Sequence, residues 1–252
     1  MKLTLLGGGG FRVPLMFRTL LADQSDRRVT ELRLWDTDAG RLAVIRSILQ
    51  AMTQGHPKAP KVEMAQNLDE AVAGIDFVFS AIRVGGTEGR ATEETIAHCC
   101  EVLGQETTGF GGLNYALRGI PTAIRIAETI ARLAPRAHLI NFTNPAGIIT
   151  EVSSRILGDR VIGICDSPVG LARRVLETLE GAELVTAGTA SLVIAGDDRV
   201  RLDYAGLNHL GWLQRLLVDG DDMLPLLLER PDLIESFEEG RLFGAQWLQQ
   251  LG

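Results

Sequence analysis

Lys2-Leu3-Thr4-Leu5-Leu6-Gly7-Gly8-Gly9-Gly10-Phe11-Arg12 is the stretch that decides the fold. A short apolar run ends in four consecutive glycines, and from Val13 to Leu21 apolar residues recur at helical spacing. That sequence reads as strand, tight turn, helix. Outward from it the alternation continues. Glu31 to Trp35 predicts a second strand ending at Asp36, and Ala39 to Met52 a helix. Val62 to Met64 and Asp76 to Ala81 predict strands on either side of a helical Leu68 to Ala73. Ala116 to Ala134 reads as a long helix, Ala137 to Phe142 as a buried strand, Ala146 to Leu157 as a helix and Val161 to Cys165 as another strand. Strands alternating with helices predict an α/β fold, a Rossmann-like doubly wound parallel sheet that binds ligands at its strand C-terminal ends.

After Cys165 the pattern changes. Pro168 to Leu179 is helical, and Leu184 to Ile194 and Val200 to Tyr204, around the turn Gly196-Asp197-Asp198, predict paired antiparallel strands. Leu233 to Leu251 is amphipathic and has no evident closing element after it. The expected organisation is a dinucleotide-binding domain over residues 1–166 and the first part of a mixed α+β substrate domain over residues 167–252.

Composition narrows the function classes. At 252 residues with 46% hydrophobic and 23% charged residues, the chain matches folded globular proteins and neither disordered nor collagen-like ones. The net charge of −7, with no basic run interleaved with aromatics, argues against nucleic acid as a partner. No apolar stretch reaches the roughly 18 residues of a membrane span, and the start MKLTLLGGGG has no cleavage-site pattern, so a cytosolic location is expected. Three cysteines, Cys99, Cys100 and Cys165, are too few for a disulfide framework in a chain this long.

Five motifs carry candidate chemistry. In the glycine turn, Gly7 and Gly9 fit the first two positions of G-x-G-x-x-G, while the third falls on Arg12. Gly7, Gly9, Gly10, Phe11 and Arg12 are therefore candidates for holding a dinucleotide pyrophosphate, with a purely structural turn as the alternative. Asp36, at the end of the second strand, suits adenosine ribose hydroxyls and would repel a 2′-phosphate, favouring NAD. Helix capping is the other reading of Asp36, a role equally open to Asp38. The loop Ile82 to Arg90 places Arg83 and Arg90 at a strand end, where forked guanidinium donors suit phosphoryl or carboxylate groups. Gly104 to Gly112 is polar and glycine-rich; its Glu106 acts as a base, tunes one, or merely caps a helix. Asn141-Phe142-Thr143-Asn144-Pro145 puts two amides at the crevice, with Asn144 also a capping candidate. Finally, a thiolate from Cys165 and an imidazole from His209 would leave much of a divalent ion's shell open, against the default of a buried thiol and a satisfied histidine.

In this order the motifs resemble glycoside hydrolase family 4, the NAD- and divalent-metal-dependent glycosidases that include 6-phospho-β- and 6-phospho-α-glucosidases. The resemblance runs from the glycine turn and Pro14 through Ile82 to Arg90, Gly104 to Arg118, Asn141 to Thr150 and Val161 to Pro168, to Gly206 to Trp212. It implies that Cys165 and His209 ligate the metal, usually Mn²⁺, that Arg90 and Asn144 contact the phosphorylated sugar, and that Glu106 tunes the catalytic base. It also implies hydrolysis by hydride transfer from the sugar C3 to NAD, elimination across C1 and C2, water addition and return of the hydride. Asp166 follows the metal-binding cysteine, where phospho-β members often have Asn and phospho-α members often have Asp as a proposed general acid. Gly104 to Pro121 is nearer the phospho-β pattern, and a 6-phospho-β-glucoside is the expected substrate.

In the family the base is a tyrosine beyond His209. Here Tyr115 and Tyr204 are the two tyrosines and neither occupies that place, so a partial chain lacking the base and part of the phosphate site is expected. Family members usually assemble as dimers or tetramers. A lactate/malate-type NAD dehydrogenase and an inactive NAD-binding fragment are the competing readings.

Overall fold

The computed structural model describes residues 1–251. The chain divides into two compact units, Met1–Ile164 and the residues from Cys165 onward.

The first unit is built on six parallel strands, β1 (Lys2–Leu6), β2 (Glu31–Trp35), β3 (Lys61–Met64), β4 (Phe77–Ser80), β5 (His138–Asn141) and β6 (Val161–Gly163). Their order is β3-β2-β1-β4-β5-β6. The direction of strand addition reverses between β1 and β4, the position at which such sheets bind ligands. The connecting helices are α1 (Val13–Ala22), α2 (Ala39–Met52), α3 (Leu68–Val72), α4 (Gly86–Cys99), α5 (Gly109–Leu133) and α6 (Ala146–Leu157).

Alternation along the strands explains the two-sided core. Leu3 and Leu5 of β1, with Leu32 and Leu34 of β2, pack against Phe17 of α1 and Leu49 of α2. Leu6, Val78 and Leu139 join Val72, Ile126 and Ile130 of α3 and α5 in a separate cluster. Thr4 is fully buried and its hydroxyl donates to the Ala71 carbonyl at 2.5 Å, so one polar group is tolerated inside β1.

Two loops expected from the sequence are shorter than their glycines suggest. Helix α4 begins inside the Ile82 to Arg90 segment, because Gly85 (φ 81°) and Gly86 (φ 58°) turn the chain directly into it. Helix α5 begins at Gly109 rather than Ala116: Cβ atoms at Gly111 and Gly112 would overlap the Gln105 and Thr107 carbonyls, so the preceding loop lies flat on the first turn.

The second unit contains α7 (Ser167–Gly181), α8 (Thr189–Ala195), β7 (Val200–Leu207), β8 (Leu210–Val218), β9 (Asp221–Asp222), α9 (Leu224–Leu228), α10 (Pro231–Ile234), α11 (Glu238–Phe243) and α12 (Ala245–Leu251). Here the expected hairpin is corrected. Val200 pairs with Val218 and not with the 184–194 segment, which forms α8. Gly188 (φ 92°) and Gly196 (φ 65°) bracket that helix in left-handed conformations, and Ala190 and Val193 pack against the cluster holding Leu176 and Leu179 of α7. Burial on α7 outweighs the strand preference of Leu192-Val193-Ile194. The amphipathic stretch from Leu233 is broken likewise, at Gly244 (φ 78°).

Among the described residues no helix is long and apolar enough to cross a membrane.

Candidate active site

The glycine turn is pressed between two strand ends. Gly7 and Gly8 both donate their amides to the Trp35 carbonyl, at 3.0 and 2.9 Å. Gly7 has φ 87°, and a Cβ there would sit 2.5 Å from the Ala81 carbonyl oxygen. A Cβ at Gly8 would come within 3.0 Å of the Trp35 nitrogen, so this glycine is also required, a role the motif spacing did not show. Gly9 donates its amide to Asp36 Oδ2 at 2.9 Å. The turn is thus backbone without side chains at the start of α1, which permits close approach of a ligand, while its own amides are bonded within the protein. Gly10 continues it with a bond back to the Gly7 carbonyl at 3.0 Å. Phe11 is 82% exposed, and the Arg12 guanidinium lies 5.7 Å from its ring.

Asp36 does not cap α2. Asp38 does, accepting from the Arg41 amide at 3.0 Å, while Asp36 Oδ1 accepts from the Asp38 amide at 3.0 Å. Asp36 therefore ties the glycine turn to the start of α2 from the C-terminal end of β2.

Beyond β4, four charged residues meet. Glu106 forms ion pairs with Arg83 through Oε1 and with Arg90 through Oε2 at 2.5 Å, and Arg90 Nε donates to Glu94 at 2.6 Å. Gln105 Oε1 accepts the Thr107 and Thr108 amides, folding the loop so that Glu106 points at the two arginines. Burial alone would push the Glu106 carboxyl up; Arg83 and then Arg90 outweigh it and hold the group below the ordinary carboxylate range. A carboxylate held ionised by two guanidinium groups is poorly placed to be a proton-abstracting base near neutral pH, and organising the arginines is the role its geometry supports.

The depressed Glu106 carboxyl contributes stability that is present above the unfolded pKa, about 4.3, and is lost as pH falls through the lower folded value. Glu106→Gln is therefore expected to flatten the decline of stability below about pH 4.5 and to lower stability at pH 7. Urea unfolding between pH 3 and 7 checks both, and parallel curves for the two proteins would contradict the ion-pair account.

Asn141 is corrected. It is fully buried at the end of β5 and offers no amide to the crevice. Its Nδ2 donates to the Thr143 carbonyl (3.1 Å), the Ala146 carbonyl (3.4 Å) and Thr150 Oγ1 (3.2 Å), and its Oδ1 accepts from the Thr143 amide (3.2 Å). It braces the loop that carries Asn144 and the cis Asn144–Pro145 bond. Asn141→Leu is expected to lower stability by about 1–3 kcal/mol, because two backbone carbonyls lose their donor. Chemical denaturation measures it, and no change would show that the brace is redundant.

In the second unit, Cys165 Sγ lies 3.4 Å from His209 Nε2 and 3.3 Å from Ser167 Oγ. His209 occupies the β7–β8 hairpin turn with φ 59°, a left-handed conformation that is uncommon outside glycine. Sulfur and imidazole donors sharing one ion at about 2.3 and 2.1 Å are themselves about 3.1–3.6 Å apart for angles near 90–110°. The pair fits a metal. No group of three or more His, Cys, Asp or Glu side chains with metal-binding geometry exists among the described residues, and Cys165 and His209 would supply two ligands here. Asp166 is exposed at the N-terminus of α7, which its side chain does not cap. Tyr204 adjoins the pair: its ring fills the space a Cβ at Gly211 would need, and burial, reinforced by Cys165, pushes its phenol up.

The model of family 4 glycosyl hydrolases matches residues 2–181. The chain belongs to that family. Among its curated relatives, the probable 6-phospho-β-glucosidase of Bacillus subtilis is 30% identical over 251 residues, 98% of this chain and 54% of the relative. The 6-phospho-α-glucosidase 1 of Lacticaseibacillus paracasei is 33% identical over 227 residues, 88% of this chain and 48% of the relative. Solved 6-phosphoglucosidase structures superpose over most of the chain. The 6-phospho-β-glucosidase of Thermotoga maritima, solved with manganese, NAD⁺ and glucose 6-phosphate, gives a TM-score of 0.77 at 28% identity, covering 91% of this chain and 52% of that one. Malate dehydrogenase from Salinibacter ruber, at 16% identity and a TM-score of 0.64, shares the fold alone. The chain spans about half the length of the curated relatives it matches.

Proposed function

We propose that this chain carries the cofactor- and metal-binding residues of a 6-phosphoglucosidase that hydrolyses 6-phospho-β-glucosides with NAD and Mn²⁺. The observation that carries the reading is the 3.4 Å approach of Cys165 Sγ to His209 Nε2, a pairing foreign to a simple hydroxy-acid dehydrogenase. The bare turn Gly7 to Gly10 receives the pyrophosphate with Phe11 and Arg12 beside it, and Asp36 accepts from ribose hydroxyls and repels a 2′-phosphate. Arg83 serves the cofactor side, while Arg90 and Asn144 serve the phosphorylated sugar. Glu106 keeps both arginines oriented, and Cys165 with His209 holds the metal. The bound cofactor and ion supply reversible hydride acceptance and carbonyl polarisation at the sugar ring.

Asp166 supports the 6-phospho-α reading as the alternative, because the family resemblance implies an aspartate directly after the metal-binding cysteine in phospho-α members, as a general acid. A cytosolic location and assembly into dimers or tetramers belong to the same proposal and rest on the family resemblance.

Release of p-nitrophenol from the paired α- and β-6-phosphoglucosides by a protein extended to the full length of the relatives, with and without NAD⁺ and Mn²⁺, tests the reading. Hydrolysis of the β-substrate that needs both additions supports it. Activity indifferent to chelator and to NAD⁺ overturns it, as does net NADH accumulation with a hydroxy acid. Cofactor choice is tested separately: Asp36→Ser is expected to cost at least tenfold in NAD⁺ affinity, about 1.5 kcal/mol for one charge-assisted hydrogen bond, and to narrow discrimination against NADP⁺. Calorimetry with both dinucleotides measures this, and unchanged affinities would remove Asp36 from the site.

A further inference from the structure

We propose that Arg118, on α5, is a positioning residue that fixes the directions of Arg83 and Arg90; the proposal rests on the roles given to those arginines above. Between them the chain passes through Gly85 and Gly86, both in left-handed conformations at φ 81° and 58°. Two such residues supply no side chain to stiffen the bend. Arg118 staples the bend from outside. Its Nε donates to the Val84 carbonyl at 2.8 Å, before the glycines, and its Nη1 pairs with Glu93 at 2.5 Å, after them. Glu93 is only 7% exposed, so this is an anchored bond rather than a solvated surface pair.

The chain has made room for it. Cβ atoms at Gly85 and Gly89 would lie 2.7 and 3.0 Å from the Arg118 guanidinium. Arg83 and Arg118 also share Tyr115, with their guanidinium carbons 5.3 and 5.4 Å from its ring centroid. Arg83 then meets Glu106, which meets Arg90. A continuous series of contacts therefore runs from Arg118 to the two arginines assigned to the ligands. Glu93 and Arg118 touch neither ligand in this scheme. They act through the loop.

Gly89→Ala is the discriminating variant. Gly89 lies inside α4, where alanine is the better helix former, and the atoms its Cβ would press are the far end of the flexible Arg118 side chain. The substitution should displace the guanidinium without weakening the helix. Arg118→Lys keeps the charge and loses the fork that spans Val84 and Glu93. Nε–H resonances of Arg83 and Arg90, assigned through their lysine variants in ¹⁵N NMR, report the arginines without any ligand. Both are expected to shift in Gly89→Ala and Arg118→Lys.

Glucose 6-phosphate binding in saturating NAD⁺, followed by calorimetry, is expected to weaken about tenfold in both variants. Unmoved Arg83 and Arg90 resonances in Gly89→Ala, with the Arg118 resonance displaced, overturn the proposal. So do shifted resonances with wild-type glucose 6-phosphate affinity in a protein where Arg90→Lys does weaken binding. If Arg90→Lys leaves glucose 6-phosphate binding unchanged, the assignment of Arg90 to the sugar fails instead, and the resonances alone decide what Arg118 does.

Discussion

Cys165→Ala is expected to weaken Mn²⁺ binding at least about a hundredfold, since even groups that merely support metal ligands are worth 10–100-fold. Of the two donors the described residues bring together, losing the thiolate leaves a single imidazole, which competes poorly with water. Electron paramagnetic resonance of Mn²⁺ reads this directly, because binding broadens the free-ion signal. His209 needs a more careful substitution. Its φ of 59° is a left-handed conformation that the histidine already carries and that alanine enters less readily. Asparagine tolerates that conformation better, so His209→Asn isolates the ligand. It should lose the metal while keeping the β7–β8 hairpin. The donor set carries a second consequence. Thiolate and imidazole prefer Zn²⁺ and Co²⁺ to Mn²⁺, so both should bind more tightly than Mn²⁺, and Co²⁺ should show a thiolate charge-transfer band that Cys165→Ala removes. Mn²⁺ affinity unchanged in Cys165→Ala would end the metal assignment.

The parts of this molecule that could be read from sequence are those set by local chemistry. Leu3 and Leu5 against Leu6, followed by four glycines, allow one structure, and the strand, turn and helix lie where that pattern puts them. Cys165 and His209 were legible as residue types directly after a strand and in a glycine-flanked turn, and the fold brings them to 3.4 Å. What could not be read depends on burial by distant residues. Asn141 and Asn144 look alike in the sequence, yet the first is sealed inside and braces the loop that presents the second. The run Leu192-Val193-Ile194 favours a strand locally, and only the surface of α7 makes it a helix. Glu106 was ambiguous between base and cap because neither Arg83 nor Arg90 is near it in sequence, and those two charges fix its ionisation. Arg118 gave no signal of its own, because the notch that receives it is formed by two glycines about thirty residues away.

Gly7→Ala is expected to be the most damaging single-methyl change in the first unit. Two costs combine. A left-handed alanine costs about 1–2 kcal/mol, and its Cβ would lie 2.5 Å from the Ala81 carbonyl oxygen, backbone that follows β4 and has no freedom to turn away. Relief requires β1 and β4 to part where Leu6 pairs with Ser80, and overpacking of that kind costs about 1–3 kcal/mol more. Together these approach a large share of the roughly 5–15 kcal/mol that holds a domain folded. Gly55→Ala separates the two costs, because Gly55 has φ 79° and nothing within 4 Å of its Cβ position. Only the strain should appear there. Denaturant midpoints of the two variants should differ by the overlap energy, and NAD⁺ calorimetry should show binding lost in Gly7→Ala and retained in Gly55→Ala. Equal losses of stability in both would mean that the turn does not press on β4, and the close approach on which pyrophosphate binding depends would go with it.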